Sequence, residues 1–166
     1  MDASRREFIG STVLSLAAAM AANEFAGCRS LGGYQTMAGF TCAPMKHIRV
    51  GFIGVGERGM AAVHRIALFP DVETAALCDL RPKQVDAAKD WLRKKGKASD
   101  IHEYKGREDS WKGLCDNPNV DVVYICTPAP LHPEMAIYAM NAGKHVLVEV
   151  PGAQTLDECW EMVETS

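Results

Sequence analysis

At 166 residues, 48% hydrophobic and 23% charged, the chain has the composition of an ordinary globular protein with one core. A net charge of −3 excludes nucleic acid as a default partner, because phosphate binding needs a clustered basic face. The six cysteines, at 28, 42, 78, 115, 126 and 159, form no C-x-x-C pair and no zinc-type spacing with histidine, so neither a disulfide framework nor a metal site is expected.

In chain order, the first segment reads as an address. "SRREFIG" (Ser4 to Gly10) precedes a short Ala-rich apolar run from Ser11 to Ala22, the layout of a secretory signal. The run falls short of the ~20 residues a bilayer needs, and Asn23 and Glu24 interrupt it. Arg5-Arg6 with Phe8-Ile9 resembles the twin-arginine signal of bacteria, a route that exports proteins already folded. Residues 1–28 are therefore expected to be an export segment, with a periplasmic or cell-envelope destination. "FAGC" (Phe25 to Cys28) faintly resembles a lipobox, with Phe atypical in its first position, and makes Cys28 a candidate lipid anchor. An amphipathic N-terminal helix fits less well, because the apolar residues show no one-sided period. Residues 29–45, rich in Gly, Ser and Thr, read as a linker.

From Lys46 the pattern changes. "HIRVGFIG" is a β-branched run ending in glycine, which predicts a strand buried on both faces. Gly54-Val55-Gly56-Glu57-Arg58-Gly59 follows, a G-x-G-x-x-G, and passes straight into "ERGMAAVHRIALF". There Met60, Val63, Ala67 and Leu68 share one helical face. Gly54 would permit the tight turn, Gly56 the approach of a pyrophosphate, and Gly59 the close packing of helix on strand, with the helix N-terminus facing the anion. A lone G-x-G-x-x-G is weak evidence, but here a second strand, "VETAALCD", answers it. Asp79 closes that strand, 79 − 54 = 25 residues after the first glycine, near the ~20 expected of an acidic ribose ligand. A carboxylate there accepts ribose hydroxyls and repels a 2′-phosphate, which favours NAD over NADP. Arg81 and the nearby lysines soften that preference without reversing it.

The alternation then repeats. "RPKQVDAAKDWLRKKG" predicts a helix with Pro82 in its first turn. Its basic end, Arg93 to Lys97, reads as cations complementing the helix dipole before a glycine stop. A weak strand over Ile101 to Tyr104, a helix in "EDSWKGLCD", and a fully buried strand in "VDVVYICT" come next. The proline-rich loop "PAPLHP", a helix in "EMAIYAMNAG" stopped by Gly143, and the strand "KHVLVEV" complete the pattern. Such alternation predicts a doubly wound parallel α/β sheet of the Rossmann type over residues 46–166, which binds ligands beyond the carboxyl ends of its strands. Thr127, His132 and Glu149 stand at such ends and are expected to line the cleft. Each also has a plain reading: Thr127 can satisfy a turn, and His132 can cap or position the following helix. His64 and His145 read as packing residues. Trp111 reads as core, with an indole able to stack near an adenine.

Taken together, "RVGFIGVGERG", "ALCDLRP", "VDVVYICTP…LH" and "AGKHVLVEVP" resemble the N-terminal domain of the Gfo/Idh/MocA oxidoreductases, from Ile48 onward. Dehydrogenases of that superfamily close the strand with Glu-Lys-Pro, where the lysine serves proton transfer to the sugar hydroxyl. Here Glu149-Val150-Pro151 stands instead, and valine carries no proton. "YKGREDSWKGLCDNPNVDVVYICT" and "GKHVLVEVPGAQTLDECWEMVETS" are similar to a branch with other chemistry, the NAD-dependent α-N-acetylgalactosaminidases of glycoside hydrolase family 109.

That resemblance implies a tightly held NAD that takes hydride from C3 of the sugar. The C2 proton is thereby acidified, the leaving group is eliminated, water adds, and the hydride returns. The two-carboxylate scheme of ordinary glycosidases does not apply. It further implies Gly54, Gly56, Gly59 and Asp79 as cofactor contacts, with Thr127, His132 and Glu149 near the nicotinamide and its ribose. The substrate implied is a small-molecule sugar with terminal α-N-acetylgalactosamine, and the full-length form is a candidate homo-oligomer. Acid–base Tyr and His residues of that family lie in a second α+β domain, so the cofactor domain is expected to be incomplete at Ser166, lacking its last strand, and to hold no catalytic acid or base. Two alternatives stand beside this reading. One is a sugar or polyol dehydrogenase that lost its lysine or relocated its role; the other is a truncated nucleotide-binding module without catalysis, with an uncovered sheet edge.

Overall fold

Residues 44–97 and 100–166 are described in a computed structural model of the chain. The expected export segment 1–28 and all of the expected linker except Pro44 and Met45 lie outside them. The β-branched runs form strands and the 3.6-period runs form helices, in strict alternation. They are β1 Ile48–Ile53, α1 Glu57–Ile66, β2 Val72–Asp79, α2 Pro82–Lys94, β3 His102–Lys105 and α3 Ser110–Cys115. After these come β4 Val122–Ile125, a 3₁₀ turn Ala129–Leu131, α4 His132–Asn141, β5 His145–Val148 and α5 Leu156–Thr165.

The described strands form one sheet of order β3-β2-β1-β4-β5, every neighbouring pair parallel. Chain order reverses between β1 and β4, and the connections leaving those two strands diverge there, opening a crevice at the carboxyl edge. The β1–β2 register slips by one residue on β2, between the pairs Val50–Thr74 and Gly51–Ala76.

Alternation along the strands divides the core into two layers. Val50, Phe52 and Leu77 pack with Val63 of α1 and Val85 and Leu92 of α2 on one face. Ile53, Val123 and Ile125 pack with Leu114 of α3 and Met135 and Ala139 of α4 on the other. Parallel strands need both faces covered, and β1 and β2 read as nearly continuous apolar runs for that reason. At the edge, β5 is covered on one face only. Val146 and Val148 pack on the α3–α4 layer, while Leu147, on the opposite face, is 46% exposed. Leu68, expected on the buried face of α1, is also exposed, because the helix ends at Ile66 before reaching it.

Local chemistry explains the helix ends. α2 starts with Pro82, which needs no N–H donor partner there, and Gly96 at φ +67° stops it after the basic turn. α5 begins at a capping box: Thr155 Oγ1 accepts from the Glu158 N–H at 3.2 Å, and Glu158 Oε2 accepts from the Thr155 N–H at 2.9 Å.

At the opposite edge of the sheet from the crevice, Arg49 ties the start of β1 to the turn before β4. Its Nη2 and Nε donate to the two oxygens of Asp121 at 2.6 and 2.9 Å. The Arg49 hydrogen bond is the main reason the Asp121 carboxyl is held below the usual carboxylate range. A depressed folded-state pKa contributes stability above the unfolded value, near 3.9, and that contribution fades as pH falls through the folded value. Asp121→Asn should therefore lower stability by about 1 kcal/mol at neutral pH in urea unfolding, the pair being partly exposed. The gap between variant and parent should start to narrow below about pH 3.9 and close as pH falls through the lower folded-state value, where the native carboxylate becomes protonated.

Candidate functional site at the switch point

The turn from β1 into α1 is packed so closely that two of its positions admit no side chain. Gly54 adopts φ +84°, in the left-handed region that glycine enters without cost, and a Cβ there would lie 2.9 Å from the carbonyl of Cys126. A Cβ on Gly59 would lie 1.8 Å from the Gly54 carbonyl oxygen, so only glycine lets the first turn of α1 rest on the loop. The turn is then stitched to both neighbouring strands. The Gly54 N–H donates to the Cys78 carbonyl at 2.8 Å, and the Cys126 N–H donates to the Ile53 carbonyl at 2.8 Å.

α1 has no side-chain cap at Gly56, which leaves its N-terminal amides for another acceptor. A cleft of about 970 Å³ opens above it, lined by Gly54, Gly56, Asp79, Arg81, Thr127 and Met135 among others. An uncapped helix N-terminus, a glycine cradle and an acidic strand end fit a dinucleotide: the amides suit a pyrophosphate and the carboxylate a ribose.

Asp79 does two jobs in this geometry. It is 8% exposed; its Oδ2 accepts from the Val55 N–H at 2.9 Å and its Oδ1 from the Arg81 N–H at 2.8 Å. It thus clamps the glycine loop to the end of β2, and each oxygen keeps a second lone pair for a hydroxyl. The Arg81 guanidinium reaches across the cleft: its Nε is 3.6 Å from Asp79 Oδ1, and a Cβ on Gly56 would meet its Nη2 at 3.1 Å. On the far wall stand Arg107, Lys112 and Trp111, supplied by α3 and the loop after β3. Trp111 is both core and wall, 6% exposed and edge-on to Tyr138 at 5.1 Å. The role of this loop was not anticipated. Its signal was the charged "GRED" following a strand, the position where ligand loops gather.

The expected residues separate into two groups. Gly54, Gly56, Asp79 and Thr127 line the cleft, and Gly59 packs beneath it. His132 does not reach the cleft. It is 1% exposed, with Nδ1 2.8 Å from the Pro151 carbonyl oxygen and Nε2 2.7 Å from the Thr127 carbonyl oxygen. Glu149 turns away from the cleft toward α1: the Tyr124 hydroxyl donates to its Oε1 at 3.0 Å, and Arg65 Nη2 lies 3.9 Å away. Burial first, then the Glu149 hydrogen bond, push the Tyr124 hydroxyl above its ordinary pKa. Val150 stands 87% exposed beside them, joined to Pro151 by a cis peptide bond. Of the other histidines, His64 stacks on Trp91 at 4.0 Å, whereas His145 is exposed at the start of β5.

Comparison with known proteins agrees with this geometry. Residues 48–166 match the GFO_IDH_MocA family, described as an oxidoreductase family with an NAD-binding Rossmann fold. A glycosyl hydrolase family 109 protein of Bacteroides fragilis is 46% identical over 134 residues, covering 81% of this chain and 29% of that protein. An alpha-N-acetylgalactosaminidase of Bacteroides fragilis is 39% identical over 128 residues, covering 77% of this chain and 30% of that protein. The chain thus spans about 30% of the length of these relatives. Among solved structures, myo-inositol 2-dehydrogenase from Lactobacillus plantarum superimposes with TM-score 0.61 at 31% identity, over 72% of this chain and 33% of that one.

Two outcomes follow from the site. Asp79→Asn places an NH₂ against one of the two backbone amides it now accepts from, and should weaken NAD binding about tenfold or more in a calorimetric titration. Cys126 lines the cleft, but burial first and the Glu149 charge next push its thiol up to about 12. It should therefore resist iodoacetamide at neutral pH while the exposed Cys159 reacts, as read by peptide mass spectrometry.

Proposed function

The chain belongs to the Gfo/Idh/MocA oxidoreductase family, and from that membership we propose that it is the NAD-binding domain of a family 109-like glycosidase. The substrate class is α-N-acetylgalactosaminides, cleaved with no net oxidation. One observation carries the choice within the family: Val150, 87% exposed at the centre of the Glu149-Val150-Pro151 segment, offers no proton where the resemblance puts a dehydrogenase's lysine. The likeness to the two Bacteroides fragilis proteins supports the same reading.

In this reading the α1 N-terminus and the Gly54–Gly59 turn bind the pyrophosphate, and Asp79 and Arg81 hold the adenosine end. Thr127 meets the cofactor where it crosses from β1 to β4. Bound NAD supplies a hydride acceptor that later gives the hydride back. A neutral, apolar Val150 leaves the sugar hydroxyls to other groups. Among the described residues that line the cleft there is no tyrosine or histidine, so the acid–base work falls to groups outside that set. Export through Arg5-Arg6, anchoring at Cys28 and assembly into a homo-oligomer belong to the same proposal. A recycled cofactor suits an exported enzyme, because no fresh supply is needed.

A second reading, a sugar or polyol dehydrogenase, is favoured by the likeness to myo-inositol 2-dehydrogenase. The two differ in what accumulates. With an aryl α-N-acetylgalactosaminide in deuterium oxide, the glycosidase should release the aryl group over many turnovers and leave NADH absorbance flat. The product should carry deuterium at C2, as proton loss and return at that carbon require. NADH rising in step with substrate loss would establish the dehydrogenase instead.

A further inference from the structure

His132 is a buried polar residue, 1% exposed, whose burial the cofactor contacts leave unexplained. It opens α4, yet its ring does not cap that helix. Each nitrogen points at a backbone carbonyl of a different loop: Thr127 in the loop after β4, at 2.7 Å, and Pro151 in the loop after β5, at 2.8 Å. These carbonyls stand where backbone donors are scarce, because Pro128, Pro133 and Pro151 have no N–H to give. A buried carbonyl without a donor is costly, and the imidazole edge reaches both carbonyls from the side, with an N–H to offer where the backbone has none.

We propose that His132 is a positioning residue: a buried strut that holds the loop after β4 and the loop after β5 at a fixed separation, and so shapes the wall facing the nicotinamide half of the cofactor. The direction of the cofactor follows from the sheet order. Asp79 closes β2, the glycine turn closes β1, and β4 and β5 follow on the other side. With the adenosine ribose at Asp79 and the pyrophosphate at the glycine turn, the remaining nucleotide extends over the loops that His132 joins. The inference rests on NAD binding at this cleft, and it holds whichever reaction the nicotinamide serves.

The strut is separable from the anchor. In His132→Asn the amide nitrogen can take the place of Nδ1 and keep the Pro151 bond; in His132→Gln it can take the place of Nε2 and keep the Thr127 bond. His132→Leu loses both. NADH affinity should stay within about threefold of the parent in all three variants, because the glycine turn and Asp79 are untouched and lie apart from the ring. The emission of bound NADH, which reports how firmly the nicotinamide is held, should fall toward that of free NADH in His132→Leu. The Asn and Gln variants should recover part of it. Thermal unfolding run alongside confirms that each variant is folded.

Unchanged emission in His132→Leu overturns the proposal. So does a loss of NADH affinity beyond about tenfold in all three variants, which marks a general lesion of the domain. Failure of the full-length form to cleave an aryl glycoside would sink the glycosidase reading alone, since emission and affinity are measured without turnover.

Discussion

The Gly59–Gly54 contact is the constraint on which the rest of the domain depends. The first turn of α1 lies so close to the carbonyl of Gly54 that no side chain fits between them. Because the helix starts that close to the strand, its free amides face the carboxyl edge of the sheet and do not point into solvent beyond it. The same closeness lets the Val55 N–H reach Asp79 at the end of β2. A single steric limit thereby joins a free helix N-terminus to a buried strand-end carboxylate, and both sit where the chain order reverses between β1 and β4.

Around that turn the cleft is built chiefly from backbone. Gly54, Cys78, Cys126 and Ile53 exchange main-chain bonds across three strands. Asp79 spends one lone pair on each of two amides. The side chains added to this frame have contrasting characters. Arg81, Arg107 and Lys112 line the cleft together with Asp79, Glu108 and Asp109, and Arg107 is paired with Asp109 at 2.9 Å, a mixed set of charges suited to a polar ligand. Toward β5 the visible features are an exposed valine and a carboxylate already engaged by Tyr124 and near Arg65.

Much of this is legible in the sequence. The G-x-G-x-x-G between a β-branched run and an amphipathic run specified its own turn, because the local chain has few ways to satisfy three glycines at that spacing. β2 falls on the predicted "VETAALCD", and α2 begins at the predicted Pro82. Less legible was the orientation of residues at the sheet edge. His132 and Glu149 stand at strand ends, as ligand residues do, yet one is buried between two carbonyls and the other turns toward α1. Neither spacing nor residue type carries that information, because each orientation is settled by partners far away in the chain: Pro151 for His132, Tyr124 for Glu149. Leu68 misled for a simpler reason. Its periodicity continued past the point where the helix ended.

By itself the sequence determined the class of fold, the location of the glycine turn, the acidic residue that closes β2 and the absence of a lysine beside Glu149. These are local properties, written in periodicity, glycine spacing and residue identity within a single βα unit. Only the tertiary structure decided which polar groups at the strand ends face the cleft and which are consumed inside the protein. That choice depends on hydrogen-bond partners brought together from separate loops, and a buried polar group takes whichever partner the fold sets beside it.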